Sequence, residues 1–195
     1  MSRDPVRSEL ERSGLLLLQD PRLPSLAALV AGGPIKGSWW GHPAGREIFR
    51  IASALDDDGD VTTAKLIAGK VTFVHRSLFA ALAAVGAERA TWQLARLPRP
   101  AAALLGRIDG EGALEAKGAA VGEIERRLLA ASRQVHTASG AHATELTTWS
   151  RFRRATGTRS ITAARGRAQL EEAIERLAPG GGGRALLPWL KKGSN

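Results

Sequence analysis

The chain of 195 residues suffices for one domain, or for two small ones sharing a core, and its 44% hydrophobic content excludes wholesale disorder. It has no cysteine, which excludes disulfides and thiolate metal sites and agrees with a reducing, cytoplasmic setting. The formal charge of +9 is unevenly placed: residues 1–125 carry 15 basic and 15 acidic side chains, whereas residues 126–195 carry 13 basic and 4 acidic ones.

The opening MSRDPVRSELERSG lacks the apolar core of a signal peptide. The apolar runs Leu15 to Leu18 and Ala80 to Val85 fall far short of a membrane span, so no membrane partner is expected. Residues 1–22 read as a polar arm or first helix that docks by the Leu15–Leu18 patch. Ser25 followed by LAALVA predicts a short helix stopped by Gly32-Gly33-Pro34. After the unusual string IKGSWWGHPAG, Pro43 can open a helix through REIFRIASAL with Ile48, Ile51 and Leu55 on one face. The acidic DDDGD, residues 56–60, ends that helix; no EF-hand spacing follows, so it reads as a solvated terminator.

VTTAKL and KVTFV, joined around Ile67-Ala68-Gly69, predict a β-hairpin over 61–74. A helix over 76–85 follows and continues through Ala87 to Leu97, and Pro98 and Pro100 mark a boundary. Beyond it come a helix from Ala101 to Ile108, the break DGEG, a short LEAK element and a charged helix from Val121 to Ala131. The extended arms SRQVHT and AHATELTTW then meet at Ala138-Ser139-Gly140 as a second hairpin, and AQLEEAIERLA forms a terminal helix with Leu170, Ile174 and Leu177 inward. Ser160 or Thr162 would cap it. The expected class is α+β, small helices with two hairpins. It divides into an N-terminal α/β module over 1–97, a basic module over 98–178 and a flexible tail over 179–195 introduced by a Gly-rich linker.

Arginine outnumbers lysine by 22 to 6. Its planar fork grips phosphate and stacks on bases, so the C-terminal excess points to a nucleic acid. GC-rich coding would explain the choice of Arg but not its crowding at one end. The expected contact residues are Arg126, Arg127, Arg133, Arg151, Arg153, Arg154, Arg159, Arg165 and Arg167, with Trp149 and Phe152 interleaved. Trp149 follows a strand and is assigned to the core. His75 and Arg76, near Lys65 and Lys70, form a second basic group.

The order of elements over Ala101 to Trp149 (helix, short element, helix, hairpin) resembles the winged helix-turn-helix superfamily of DNA-binding proteins. That resemblance implies a recognition helix carrying Glu123, Arg126 and Arg127, a wing carrying Arg133 and His142, and DNA rather than RNA as partner. LEAK is short for a full middle helix. The strings GSWWGHP and GKVTFVHR also resemble a bacterial family to which no function is attached.

Adjacent Trp39 and Trp40 cannot both enter one core from a strand, so at least one is expected to line a surface or pocket. With Lys36, His42 and Glu47 nearby, an alternative is a DNA-repair enzyme of the glycosylase or abasic-site lyase type. In it the indoles clamp an unstacked base, Lys36 forms a Schiff base and Glu47 orients His42. The simpler reading has Trp anchoring two elements and His42 capping the helix. A third reading is an RNA-associated factor. His136 and His142 would face each other across the second hairpin, but two histidines without a third ligand make no metal site. No cofactor is expected. A homodimer stays open.

Overall fold

The computed structural model describes residues 4–136, 142–180 and 182–190. The chain is an α+β protein, and its described residues form two three-stranded antiparallel sheets. It divides into two units: residues 1–78 with 170–195, and residues 79–169.

In the first unit, Asp4 accepts a hydrogen bond from the Val6 N–H at 3.0 Å and so caps α1 (Pro5–Ser13), where Pro5 occupies a position with no helical donor to lose. Gly14, at φ 82°, turns the chain straight into β1 (Leu15–Leu17). Leu15, Leu16 and Leu17 of the leucine patch are therefore a fully buried strand and not the docking face of a helix. Ser25 caps α2 (Leu26–Ala31). A 3-10 turn over Trp39–Gly41 leads into α3 (Gly45–Asp56), which buries Ile48 and Leu55. The hairpin of β2 (Val61–Ile67) and β3 (Lys70–His75) turns through Ala68 and Gly69, both at positive φ, as a tight two-residue connection requires. β1 pairs with β3, with Leu16 opposite Phe73, so the strand order is β1-β3-β2.

Asp20 is buried beside this sheet. Its Oδ1 accepts from the Arg22 and Leu23 N–H groups, and its Oδ2 takes the Lys70 ammonium at 2.7 Å. Burial by itself would raise this carboxyl, but Lys70 and the two backbone donors outweigh it and hold the group below the usual carboxylate range. A depressed carboxyl contributes stability above its unfolded pKa of about 3.9, and that contribution disappears as pH falls through the folded value. Asp20→Asn is therefore expected to lower stability at neutral pH by about 1–3 kcal/mol. Its thermal unfolding curve should converge with the wild-type curve in strong acid.

Residues 182–190 belong to the same unit and are packed. The Leu186 carbonyl accepts from the Ala68 N–H at 2.9 Å, Leu187 is fully buried, and Trp189 Nε1 donates to Glu171 at 2.9 Å. Within the expected tail, Leu187 and Trp189 thus pack while Leu190 is exposed.

The second unit opens with α4 (Phe79–Gly86). The chain does not continue it to Leu97, because Arg89 adopts a left-handed φ of 58° and breaks it before the single turn α5 (Thr91–Leu94). Gln93, fully buried, satisfies its amide on the Gly86 and Arg127 carbonyls and the Ala90 N–H. Pro98 precedes α6 (Arg99–Glu111), and Gly112, at φ 79°, turns it into β4 (Ala113–Ala116). α7 (Ala119–Arg126) is shorter than its charge pattern predicts, since Leu128 takes φ 51° and leads into β5 (Ala131–His136). β6 (His142–Thr147) returns with His136 and His142 in register. The turn expected at 138–140 and the side chains of both histidines lie outside the described residues. The strand order is β4-β6-β5, and Leu104, Leu105, Ile108, Ile124 and Leu146 form the core beneath it. α8 (Trp149–Thr156) and α9 (Ala163–Leu177) follow, α9 carrying the chain back into the first unit with Leu170, Ile174 and Leu177 buried.

The two sheets repeat one plan. A helix (α1, α6) ends in a left-handed glycine and a short strand, another helix (α3, α7) precedes a hairpin, and the first strand pairs with the last. They differ in one segment. Residues 18–44, with α2 and the two tryptophans, join β1 to α3, whereas Lys117 and Gly118 alone join β4 to α7.

Candidate nucleic-acid interface

The sequence WSRFRRAT of α8 sorts its side chains by the helical period. Trp149 is buried, donates from Nε1 to the Leu128 carbonyl at 2.7 Å and meets Phe152 edge-on at 5.5 Å; Phe152 in turn meets Phe79 at 5.3 Å. The aromatics thus anchor the helix, and Arg151 and Arg154, three positions apart, share its exposed side. Thr148 caps it by accepting from the Arg151 N–H.

Arg151 and Arg154 line a cleft of about 560 Å³ together with Arg89, Asp109, Glu111 and Ser150. Both acids in it are engaged: Asp109 with Arg89 at 2.6 Å, Glu111 with Arg107 at 3.1 Å. Arg89 Nη1 is buried with no hydrogen-bond partner among the described residues. Arg151 and Arg154 have no ion pair there either, so the cleft carries an uncompensated positive charge at a helix N-terminus. Arg153 donates to Ser160 at 2.9 Å, and Arg159 and Arg165 are exposed, Arg165 in the first turn of α9 with its N–H on Thr162.

The other expected contact arginines are ion-paired within the protein, Arg126 and Arg127 sharing one carboxylate. Glu123 pairs with Arg126 and Arg127 and is held below the usual carboxylate range, mainly by Arg126. Arg133 pairs with Glu145 at 2.9 Å across β5 and β6, and Arg167 with Glu88. Chain proximity hides such partners, since Glu88 stands 79 positions before Arg167. Arg127 also donates to the Gln93 and Ala95 carbonyls at 3.0 and 2.8 Å, which makes it a brace. Arg127→Ala is expected to cost about 1–3 kcal/mol of stability, measured by urea unfolding.

Lys36, His42 and Glu47 are not joined by any hydrogen bond or ion pair among the described residues. His42 Nδ1 accepts from the Ala44 N–H at 3.1 Å just before α3, and Glu47 makes a two-pronged pair with Arg50. Lys36 lines a separate cavity of about 410 Å³ with Gln19, Gly37 and Lys70. Near the first hairpin, Arg76 pairs with Asp60 at 2.9 Å, and His75 bonds Ser77. Trp39 is buried and Trp40 is exposed, stacked on it with ring centres 4.0 Å apart. Phe49 of α3 stands 5.7 Å from Trp40 and is also exposed; its place off the Ile48–Leu55 stripe makes that exposure legible from periodicity.

Among the described residues no group of three His, Cys, Asp or Glu side chains could hold a metal ion, and no helix is long and apolar enough to cross a membrane. Comparison with known family models, curated proteins and solved structures finds no match.

Proposed function

We propose that the protein binds nucleic acid, duplex DNA foremost, through the arginine surface of α8 and the start of α9. The observation that carries this reading is the set Arg151, Arg154, Arg159 and Arg165, all exposed and without an acidic partner among the described residues, two of them at the cleft where α8 begins. Like charges held together repel, and a polyphosphate backbone is the counter-surface that relieves them. The winged-helix resemblance implies α7 and the β5–β6 hairpin as contact elements, and their arginines are ion-paired within the protein, so the α8 surface does not rest on it. A lyase mechanism has no comparable support, because Lys36, His42 and Glu47 form no joined group.

The test is a fluorescence-anisotropy titration of a labelled random duplex at increasing salt. Affinity should fall linearly on a log–log scale, and duplex DNA should outcompete duplex RNA of the same sequence. A salt-independent affinity, or no binding at low salt, would sink the reading.

A further inference from the structure

We infer that the exposed ledge of Trp40 and Phe49 in the first unit stacks an unpaired nucleobase, so that the nucleic acid recognised contains a single-stranded stretch. This rests on the nucleic-acid reading above and adds to it a contact made by the first unit.

The ledge is built in advance. Buried Trp39 lies under Trp40 with ring centres 4.0 Å apart and planes 24° from parallel, so the outer indole is held flat. Trp40 and Phe49 are nevertheless 66% and 52% exposed, beside each other at 5.7 Å. The 3-10 turn sits hard against the start of α3: a Cβ on Gly45 would come within 3.0 Å of the Trp39 carbonyl oxygen. Little side-chain entropy remains to be lost when a flat ligand covers these rings.

The segment that carries the two tryptophans is additional to the common plan. Two residues close the same connection in the second unit, whereas here residues 18–44 do so, burying Leu26, Ile35 and Trp39 while leaving Trp40 open. Large aromatic rings left open beside a packed core mark a contact surface.

The surrounding charge selects the occupant. Arg46 lies one helical turn before Phe49 and has no acidic partner among the described residues, and Arg50 follows Phe49. The acids nearby, Glu47 and Asp4, act on Arg50. An apolar protein helix laid on the ledge would have to bury Arg46, Glu47 and Arg50, at the cost of their hydration. A base presents an aromatic face to the rings while its phosphates stay at the rim with the arginines.

The experiment uses a short oligothymidylate and the full chain. Binding should quench tryptophan emission in the wild type. Trp40→Ala should weaken binding by about 5- to 150-fold, the range for losing one stacked base, without changing the melting temperature. Trp40→Phe should keep most of the affinity but lose the quenching, and Phe49→Ala should weaken binding as well. Unchanged affinity and quenching in Trp40→Ala would overturn the inference. Binding of duplex but not of oligothymidylate would overturn it while leaving the proposed function intact; binding of neither would remove both. Self-association in sedimentation that is lost in Trp40→Ala would assign the ledge to a second copy of the chain and overturn the stacking role.

Discussion

Reversing Arg151, Arg153 and Arg154 together to glutamate is expected to lower affinity for a random duplex by about 10²- to 10³-fold at moderate salt, with the fold left intact. Each cation that neutralises a phosphate contributes about 0.9 to the slope of log affinity against log salt, so losing three should flatten it by about 2.7. The change spares the structure because Arg151 and Arg154 are exposed and unpaired among the described residues, and Arg153 gives up one hydrogen bond to Ser160. Reversal of Arg126, Arg127 and Arg133 is the informative control. Those three are already paired to Glu123 and Glu145, so their replacement should disturb stability more and the salt slope less. Equal slopes for wild type and the α8 variant would show that the surface grips no phosphate.

Trp149→Ala is expected to destabilise the second unit by about 3–5 kcal/mol, enough to unfold a marginal domain. The indole is buried, its Nε1–H is the partner of the Leu128 carbonyl at 2.7 Å, and its ring packs edge-on to Phe152. Removal leaves a large cavity, loses an aromatic contact and strands a carbonyl at a residue already held at positive φ. Trp149→Phe should recover part of the loss by filling the space without restoring the hydrogen bond. Gly86→Ala should act at the same spot from the other side, because a Cβ there would come 2.2 Å from the indole. Urea unfolding followed by circular dichroism measures all three. A Trp149→Ala variant within about 1 kcal/mol of wild type would contradict this account of the core.

Most helices and both hairpins were legible in the residues. LAALVA between Ser25 and Gly32, the Ile48–Leu55 stripe, the Ala68-Gly69 turn and the inward face of Leu170, Ile174 and Leu177 carry local signals strong enough to survive folding. The misreadings fall where a single backbone conformation decides. Gly14 turns three leucines into a strand, Arg89 interrupts a run that reads as one helix, and Leu128 shortens α7; left-handed conformations at non-glycine residues leave little local mark.

Taken alone, the sequence determined the α+β class, the positions of both hairpins and of most helices though not of α8, and the crowding of arginine after residue 126, because these follow from composition and short-range periodicity. Only the tertiary structure decided which of those arginines remain available, since the carboxylate that pairs with Arg167 arrives from 79 positions away and the one that pairs with Arg133 depends on the register of the hairpin. It also decided that Lys36, His42 and Glu47 form no joined group and that Trp40 finds Phe49 as its neighbour. Charge counts add along a chain, but pairing is a matter of distance in space, and distance is what folding sets.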